Sequence, residues 1–261
     1  MGNDSIREIW RYRELLYFFA WREIKLRYRQ AAFGVAWAII QPLFGMILFT
    51  LVFGRLAHMP SDGVPYPIFC YSALVLWTYF ASVLAIASTS LTTNSSLIEK
   101  VYFPRMFLPI GTAMAGLLDF FVGSLLLVGL MYYYHVRASW ALLLSPLFVL
   151  MLIILTTGVS MMLAALNVRY RDIKFAVPFL IQVWLFATPV IYPATMVPSR
   201  FRPILALNPC WGIVDGFRAC LFPGLPFHFK LIATSMGVVI ALFLAGSYYF
   251  HWAEKSFADV I

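Results

Sequence analysis

Few residues in this chain belong to types that could perform chemistry, and their spacing assembles no reactive site. Three cysteines and four histidines occur among the 261 residues, without a CxxC pair or a Cys/His cluster. A metal centre is therefore not predicted, and each cysteine is expected to act as a small buried hydrophobic residue. A bridge between Cys210 and Cys220 stays open as an alternative if both face an oxidising compartment. The third cysteine is Cys70, and the histidines are His58, His135, His228 and His251.

Ionisable groups inside the apolar stretches are equally scarce. Asp119 is the one acidic candidate, and it is expected to make a polar contact with a neighbouring helix, with a proton site as the alternative. No Ser/His/Asp arrangement can be argued, and the phosphate-binding pattern G-x-x-x-x-G-K-[ST] is absent from the sequence. Neither catalysis nor ATP hydrolysis is thus predicted for this chain. If it transports a solute, a partner must supply the energy.

The composition defines the setting of these residues. Hydrophobic residues make up 62% of the chain and charged residues 11%, with a mean hydropathy of +0.85. Such values exclude an ordinary soluble domain and indicate an integral membrane protein. The net charge of +8 comes from cations in short segments between apolar runs, which favours anionic lipid headgroups over nucleic acid as their partners.

The apolar runs predict an all-α membrane protein with six transmembrane helices. The predicted spans are 31–53, 68–91, 108–134, 140–166, 175–192 and 231–251. The segments then assigned to the cytoplasm hold about twice as many Lys and Arg residues as the outer segments, which predicts that both termini are cytoplasmic. Residues 1–30, with apolar positions three or four apart, are expected to form an amphipathic helix at the membrane interface, a plain soluble helix being the alternative.

The loop after the second span has local structure of its own. Ser96 and Glu99 match the S-x-x-E capping box, so a short helix is expected from Leu97 until Pro104 ends it at Phe103. A short capped helix that carries Glu99 and Lys100 inside a tight loop favours a docking role over a simple connection.

The segment before the last span does not fit a simple crossing. Ser199 can cap one short helix, and Asn208 followed by Pro209 is the signature of a second helix start. Two outer helices within about 199–222 are therefore expected to dip into the outer leaflet. Within the second helix, Asp215 and Arg218 are three residues apart and are expected to pair with each other.

Aromatic residues are abundant in the first and fifth predicted spans. Aromatic faces can stack on the apolar faces of sugar rings, which predicts a conduit for a glycan, while packing against lipid is the alternative explanation. The candidates for the conduit are Phe33, Trp37, Phe44, Phe179, Trp184 and Tyr192.

Four motifs in sequence carry a resemblance that covers nearly the whole chain. They are R-Y-R-x-x-x-x-G-x-x-W from Arg27 to Trp37, NSSLIEKVYFPRMFLP from Asn94 to Pro109, YRDI from Tyr170 to Ile173, and Asn208-Pro209. Together they resemble the ABC-2 type permeases that export bacterial polysaccharides such as O-antigen, capsule and teichoic acid. The resemblance implies an ABC-2 type transmembrane domain over 31–261 in the inner membrane.

What the resemblance implies for the partners is more specific. It implies a homodimer that pairs with two copies of a separate nucleotide-binding ATPase, which binds ATP and Mg while this chain binds no cofactor. The lipid-linked polysaccharide would enter from the cytoplasmic leaflet. The residues expected to couple to the ATPase are Leu97, Glu99, Lys100, Phe103, Arg105, Arg171 and Asp172. The residues expected at the outer gate are Asn208, Pro209, Asp215 and Arg218.

Three rival functions remain at this stage. An ABC-2 exporter of drugs or lipids shares the same plan of spans, and its genomic neighbours would distinguish it. An ion-coupled secondary carrier is disfavoured because buried charge is scarce, and a membrane-embedded enzyme lacks a catalytic cluster.

Overall fold

A computed structural model of the protein describes residues 12–29, 33–101, 103–137, 140–198, 200–255 and 257. All regular structure in these ranges is helical, which confirms the predicted all-α class. The helices are α1 (Arg13–Tyr28), α2 (Gly34–Leu56), α3 (Tyr66–Ala87), α4 (Ser90–Thr93), α5 (Ser95–Lys100), α6 (Phe107–Tyr133), α7 (Trp140–Arg169), α8 (Ile173–Ala187), α9 (Arg202–Leu205), α10 (Pro209–Leu221) and α11 (Phe229–Glu254).

Five of these helices, α2, α3, α6, α7 and α11, are long and apolar enough to cross a membrane. Each lies within a few residues of a predicted span, because uninterrupted apolar sequence of this length has few other stable arrangements. The protein is therefore a membrane protein with several apolar helices.

The fifth predicted span is shorter than expected. Helix α8 has 15 residues, about 22 Å at ~1.5 Å per residue, against a hydrocarbon layer of ~30 Å. It ends at Ala187, and Thr188 is extended with ψ 140°. Pro189 explains this end, because proline disfavours helical geometry in the residue before it. The predicted continuous helix over 175–192 is wrong for residues 188–192.

Helix α3 forms the centre of the bundle. Most of its side chains are buried, and α2, α6, α7, α8 and α10 all pack against it. Helices α2 and α11, by contrast, leave most of their side chains at least partly exposed to the surroundings. Exposed apolar faces of this extent are expected on helices that contact lipid or a partner subunit.

The two ends of the bundle differ in the elements that they carry. The lower end carries α1, α5, the start of α6 and the C-terminal ends of α7 and α11, while the upper end carries α10 and the C-terminal ends of α2 and α6. Helix α1 runs alongside α6 in the same direction. Phe19 lies next to Gly111, and eight residues further along both helices Arg27 contacts Asp119. Residues 1–11 and 30 of the predicted interface helix lie outside the described residues, and its position in the interface plane stays a prediction.

Candidate functional site

A second hydrophobic core joins the elements of the lower end. The rings of Phe19 in α1 and Phe103 in the loop after α5 lie 5.0 Å apart, centroid to centroid. Around them lie the other buried members of this cluster, Leu91, Phe107, Leu108, Met161, Ala164, Ala165, Val168, Phe250, Ala253 and Phe257. Because the cluster draws on α1, α6, α7 and α11 together, a displacement of the α5 loop has a packed path into the bundle.

The predicted short helix is present, but the predicted capping box is wrong. Helix α5 begins at Ser95 and not at Leu97, so Ser96 lies inside the helix and no side chain caps its start. The side chain of Asn94 is engaged elsewhere. It accepts a hydrogen bond from Arg22 Nη2 at 2.8 Å and donates to the carbonyl of Ser90 at 2.8 Å. Asn94 therefore links α1 to the α5 loop.

The residues predicted to couple to an ATPase divide into two groups. Glu99 and Lys100 are exposed, as expected for a docking surface, and α5 ends at Lys100, three residues earlier than predicted. Leu97 is partly buried and Phe103 is only 5% exposed, so Phe103 faces the interior. Arg105 donates from Nη1 to the carbonyl of Glu254 at 2.9 Å, which ties the loop to the end of α11.

The second loop of the lower end lies between α7 and α8. Arg171 and Asp172 are exposed there, and the end of α7 is tied to α4 by a hydrogen bond of 3.3 Å from Asn167 Nδ2 to Thr92 Oγ1. We refer to the exposed residues Glu99, Lys100, Arg171 and Asp172 as the lower charged surface.

A polar cluster lies where α1 ends against α6. Arg27 Nη1 and the hydroxyl of Tyr28 both donate to the carboxylate of Asp119. The expected polar contact between Asp119 and a neighbouring helix is confirmed. The sequence did not identify its partners, which lie about ninety residues away in the R-Y-R motif.

A cavity of about 320 Å³ adjoins this polar cluster, between α2, α3 and α6. Trp37, Tyr79 and Phe120 supply aromatic walls, and Gln41 and Thr78 supply polar groups. Of the aromatic residues predicted for a conduit, Trp37 is the one that lines this cavity, and 49% of its surface is exposed. Aromatic walls beside neutral polar groups suit a ligand with both apolar faces and hydroxyl groups.

The other predicted conduit residues lie on or close to α2 and α8, two helices that both pack against α3. Phe33 and Phe44, at the start and in the middle of the first span, are mostly exposed, and so is Phe179 on α8. Trp184 and Tyr192 are partly buried. The structure thus gives α2 and α8 exposed aromatic faces, within a single copy of the chain.

At the upper end, Asn208 organises the start of α10 as predicted. Its side-chain oxygen accepts the N–H of Cys210 at 3.1 Å, and Pro209 occupies the first helical position. The same oxygen accepts the indole N–H of Trp184 at 2.8 Å, and Nδ2 donates to Thr188 Oγ1 at 3.0 Å. Asn208 therefore joins α10 to the broken end of α8.

The first predicted outer helix is much shorter than expected. Ser199, its predicted cap, lies outside the described residues, and the chain forms a 3₁₀ turn at Ala194–Met196 and the four-residue α9.

Cys70, Cys210 and Cys220 are buried free thiols, as the prediction of small hydrophobic residues implies.

The predicted pair between Asp215 and Arg218 is wrong. Asp215 instead contacts His228 Nδ1 through Oδ2 at 2.8 Å, across the turn between α10 and α11. Burial raises the pKa of the Asp215 carboxyl above its ordinary value, while its contact with His228 acts in the opposite direction.

Arg218 is 4% exposed and is bound by backbone carbonyls. Its guanidinium donates to Pro189 at 2.6 Å, to Val190 at 2.8 Å and to Phe69 at 3.0 Å. The planar fork of arginine satisfies several carbonyls at once, which explains its presence without a paired carboxylate.

Among the described residues, no three His, Cys, Asp or Glu side chains come together in a way that could hold a metal ion. The arrangement is instead a helical membrane body with polar groups at both ends and a charged surface at the lower end. These features define the class as a helical membrane protein with several apolar helices.

Comparison with known proteins agrees with this class. The chain matches the ABC-2 type transporter family over residues 14–222, and it belongs to that family. It is 30% identical over 260 residues to the O-antigen export system permease protein RfbA of Myxococcus xanthus, covering 98% of both chains. It is 25% identical to the protein of the same name in Klebsiella pneumoniae, over 95% of both chains. The polysialic acid transport protein KpsM of Escherichia coli is 23% identical over 78% of this chain and 79% of its own.

Proposed function

We propose that this chain is the membrane subunit of an ATP-driven exporter that moves a lipid-linked polysaccharide, such as O-antigen, across the bacterial inner membrane. The observation that carries the proposal is the end-to-end similarity to O-antigen export permeases, which covers 98% of this chain and of the M. xanthus protein. Similarity over the whole length includes the spans, the α5 loop and the outer segment, and not only a shared pattern of apolar helices.

The partner that supplies energy is a nucleotide-binding ATPase, in two copies, that docks on the lower charged surface. Glu99 and Lys100 are exposed at the tip of α5, and Arg171 and Asp172 are exposed on the neighbouring loop. Charges of both signs on a docking surface determine the orientation and the specificity of the bound partner more than its affinity. ATP and Mg are bound by that partner.

Movement of the ATPase reaches the spans through α5. The contact between Phe103 and Phe19, and the hydrogen bond from Arg22 to Asn94, connect the loop to α1. Helix α1 continues along α6 to the contact between Arg27 and Asp119. Closure of the ATPase would thus shift α1 and α6 together, because packed side chains transmit displacement with little compression.

The glycan passes between two copies of the chain. Helices α2 and α8 carry the exposed aromatic residues Phe44 and Phe179, and the exposed Phe33 directly precedes α2. Neither helix is covered by other elements of the same copy to the extent that α3 is. The cavity lined by Trp37 adds polar groups beside this surface. We assign Trp184 and Tyr192 to the upper part of the same path.

The lower end faces the cytoplasm in this proposal. Helix α8 and the extended residues after it make the fifth of six crossings, and α10, with 13 residues, forms an outer gate without crossing. Both termini are then cytoplasmic, in agreement with the bias of positive charge.

Purification with an ATPase tests the proposal. We expect the tagged full-length chain to co-purify with a nucleotide-binding subunit encoded beside it, and we expect lipid-linked glycan from the same organism to stimulate hydrolysis by the complex. Hydrolysis that responds to drugs or phospholipids and not to the glycan would assign the chain to the drug or lipid exporters. Transport that continues without ATP and stops when the proton gradient is abolished would overturn the proposal.

A further inference from the structure

A second cavity, of about 680 Å³, lies at the upper end, between α9, α10 and the start of α11. It shares no lining residue with the cavity beside Trp37. Its walls combine apolar and basic side chains. The lining residues are Ala194, Arg202, Pro203, Ala206, Trp211, His228, Phe229, Lys230, Leu231 and Thr234.

The charge of the lining is positive. Arg202 is held by the backbone, since Nε donates to the carbonyl of Val197 at 3.0 Å and Nη2 to that of Thr195 at 3.2 Å. Lys230 is exposed, and no described residue forms a hydrogen bond or ion pair with its side chain. Two formal positive charges therefore face this cavity without a carboxylate among its lining residues.

The nearest carboxylates are already engaged. Asp215 contacts His228, and Asp62 accepts a hydrogen bond of 2.7 Å from the hydroxyl of Thr195. Neither carboxylate lines the cavity. An anion that enters the cavity would thus meet cations that are not neutralised by a buried partner.

The start of α11 adds to the positive potential. This helix has 26 residues and begins at Phe229, so its first-turn N–H groups and the positive end of its dipole lie at the cavity. No side chain caps this end of the helix. The N-terminal ends of helices attract phosphate groups for this reason.

An apolar stripe leads away from the cavity along α11. Phe229, Met236, Ile240 and Leu244 are exposed and recur at intervals of seven and four residues, which places them on one face of the helix. The stripe runs along the outside of the bundle, from the upper end of α11 to about the middle of this helix. A ligand with an anionic head at the cavity and an acyl chain along this stripe would match both features.

We infer that this cavity binds the headgroup of an anionic membrane phospholipid from the leaflet at the upper end, with an acyl chain along the exposed stripe of α11. Charge complementarity selects an anionic over a zwitterionic lipid, because each basic residue near a membrane surface increases attraction to acidic lipid about fivefold. The apolar walls and the adjoining stripe select a lipid over free phosphate.

Native mass spectrometry of the purified full-length chain tests this inference. The protein is exchanged into detergent that contains equal amounts of phosphatidylglycerol and phosphatidylcholine, and the lipids retained are counted. We expect phosphatidylglycerol to be retained at least about fivefold more than phosphatidylcholine. The double variant Arg202→Gln/Lys230→Gln should lose this preference. The control Arg55→Gln/Arg137→Gln removes two exposed cations from the same end and should keep it.

Three results with the two phospholipids would overturn the inference. They are equal retention of both lipids by the unaltered protein, an unchanged preference in the Arg202/Lys230 variant, and an equal loss in the Arg55/Arg137 control. A fourth arm adds polyprenyl phosphate, and retention of that lipid without phosphatidylglycerol would reject the phospholipid as occupant. Unchanged melting temperatures of the variants would show that a lost preference does not come from unfolding. Because the assay needs neither ATP nor glycan, its failure leaves the export proposal untouched.

Discussion

The guanidinium carbon of Arg218 lies 3.6 Å from the centroid of the Phe69 ring. The same guanidinium donates to the backbone carbonyls of Phe69, Pro189 and Val190. One side chain on α10 thereby fixes the start of α3 and the chain that follows the broken end of α8. The proposed outer gate is thus attached to the centre of the bundle by a buried cation in addition to its apolar packing.

Replacing Arg218 by lysine should destabilise the protein. A lysine ammonium is a single point donor and cannot reach three separated carbonyls or stack on Phe69, so carbonyls are left unpaired at a cost of about 2–4 kcal/mol. We expect the melting temperature of the detergent-solubilised protein to fall by several degrees. The control Arg200→Lys changes an exposed arginine that lies over the ring of Phe201 and should have little effect. Equal melting temperatures for Arg218→Lys and the control would contradict this role.

The features that were predicted correctly from the sequence depend only on residues that are close together in the chain. The start of α10 at Asn208-Pro209 was predicted correctly, because an N-cap and an N1 proline act within one helical turn. The span positions followed from apolar length. The same local reasoning placed a cap at Ser96, where Asn94 and the preceding turn already define the start of α5.

Contacts between distant segments could not be predicted in this way. Asp215 and Arg218 are correctly spaced for a helical pair, yet each finds partners from another element, namely His228 for Asp215 and the carbonyls of residues 69, 189 and 190 for Arg218. Asp119 was expected to have a polar partner, but only the fold brings Arg27 to it. The aromatic residues of a conduit stay predictions, since the proposed path lies between two copies of the chain.

The contact between Arg27 and Asp119 should appear as coupling in a double-mutant cycle. Either Arg27→Gln or Asp119→Asn leaves one partly buried charge without its partner, so each should destabilise the protein. The double variant should be less destabilised than the sum of the two, with a coupling energy of about 1–3 kcal/mol. Thermal unfolding of the four proteins in one detergent provides the measurement. Additive effects would show that the two side chains act independently.

Exchange of charge on α5 tests the docking surface. The double variant Glu99→Lys/Lys100→Glu keeps the net charge but reverses the pattern that a partner would read. We expect at least a tenfold loss of ATPase stimulation and of surface glycan, with normal amounts of protein in the membrane. The control Arg137→Glu alters an exposed residue of the upper end and should be neutral. Unchanged export in the α5 variant would remove the docking role.

Trp37 provides the test of the aromatic path. It lines the cavity beside Arg27 and Asp119, so Trp37→Ala should remove a stacking surface and slow export severalfold, while Trp37→Phe should keep part of the rate. Trp140→Ala is the matched control, because Trp140 is 88% exposed at the start of α7. The readout is surface glycan per molecule of membrane protein. Normal export by the Trp37→Ala variant would indicate that Trp37 packs against lipid and does not line the glycan path.

The crossing of α7 and α11 depends on two glycines, and Gly246→Ala should disturb it. A Cβ at Gly246 would overlap the backbone carbonyl of Gly158, and backbone cannot move aside as a flexible side chain can. We expect the helices to separate at a cost of about 1–3 kcal/mol, measured as a lower melting temperature. Gly237→Ala makes the same change on the same helix where no atom lies within 4 Å, so helix propensity alone should make it neutral or slightly stabilising. If both variants had the same melting temperature, the packing of α11 against α7 would not depend on the close approach of their backbones.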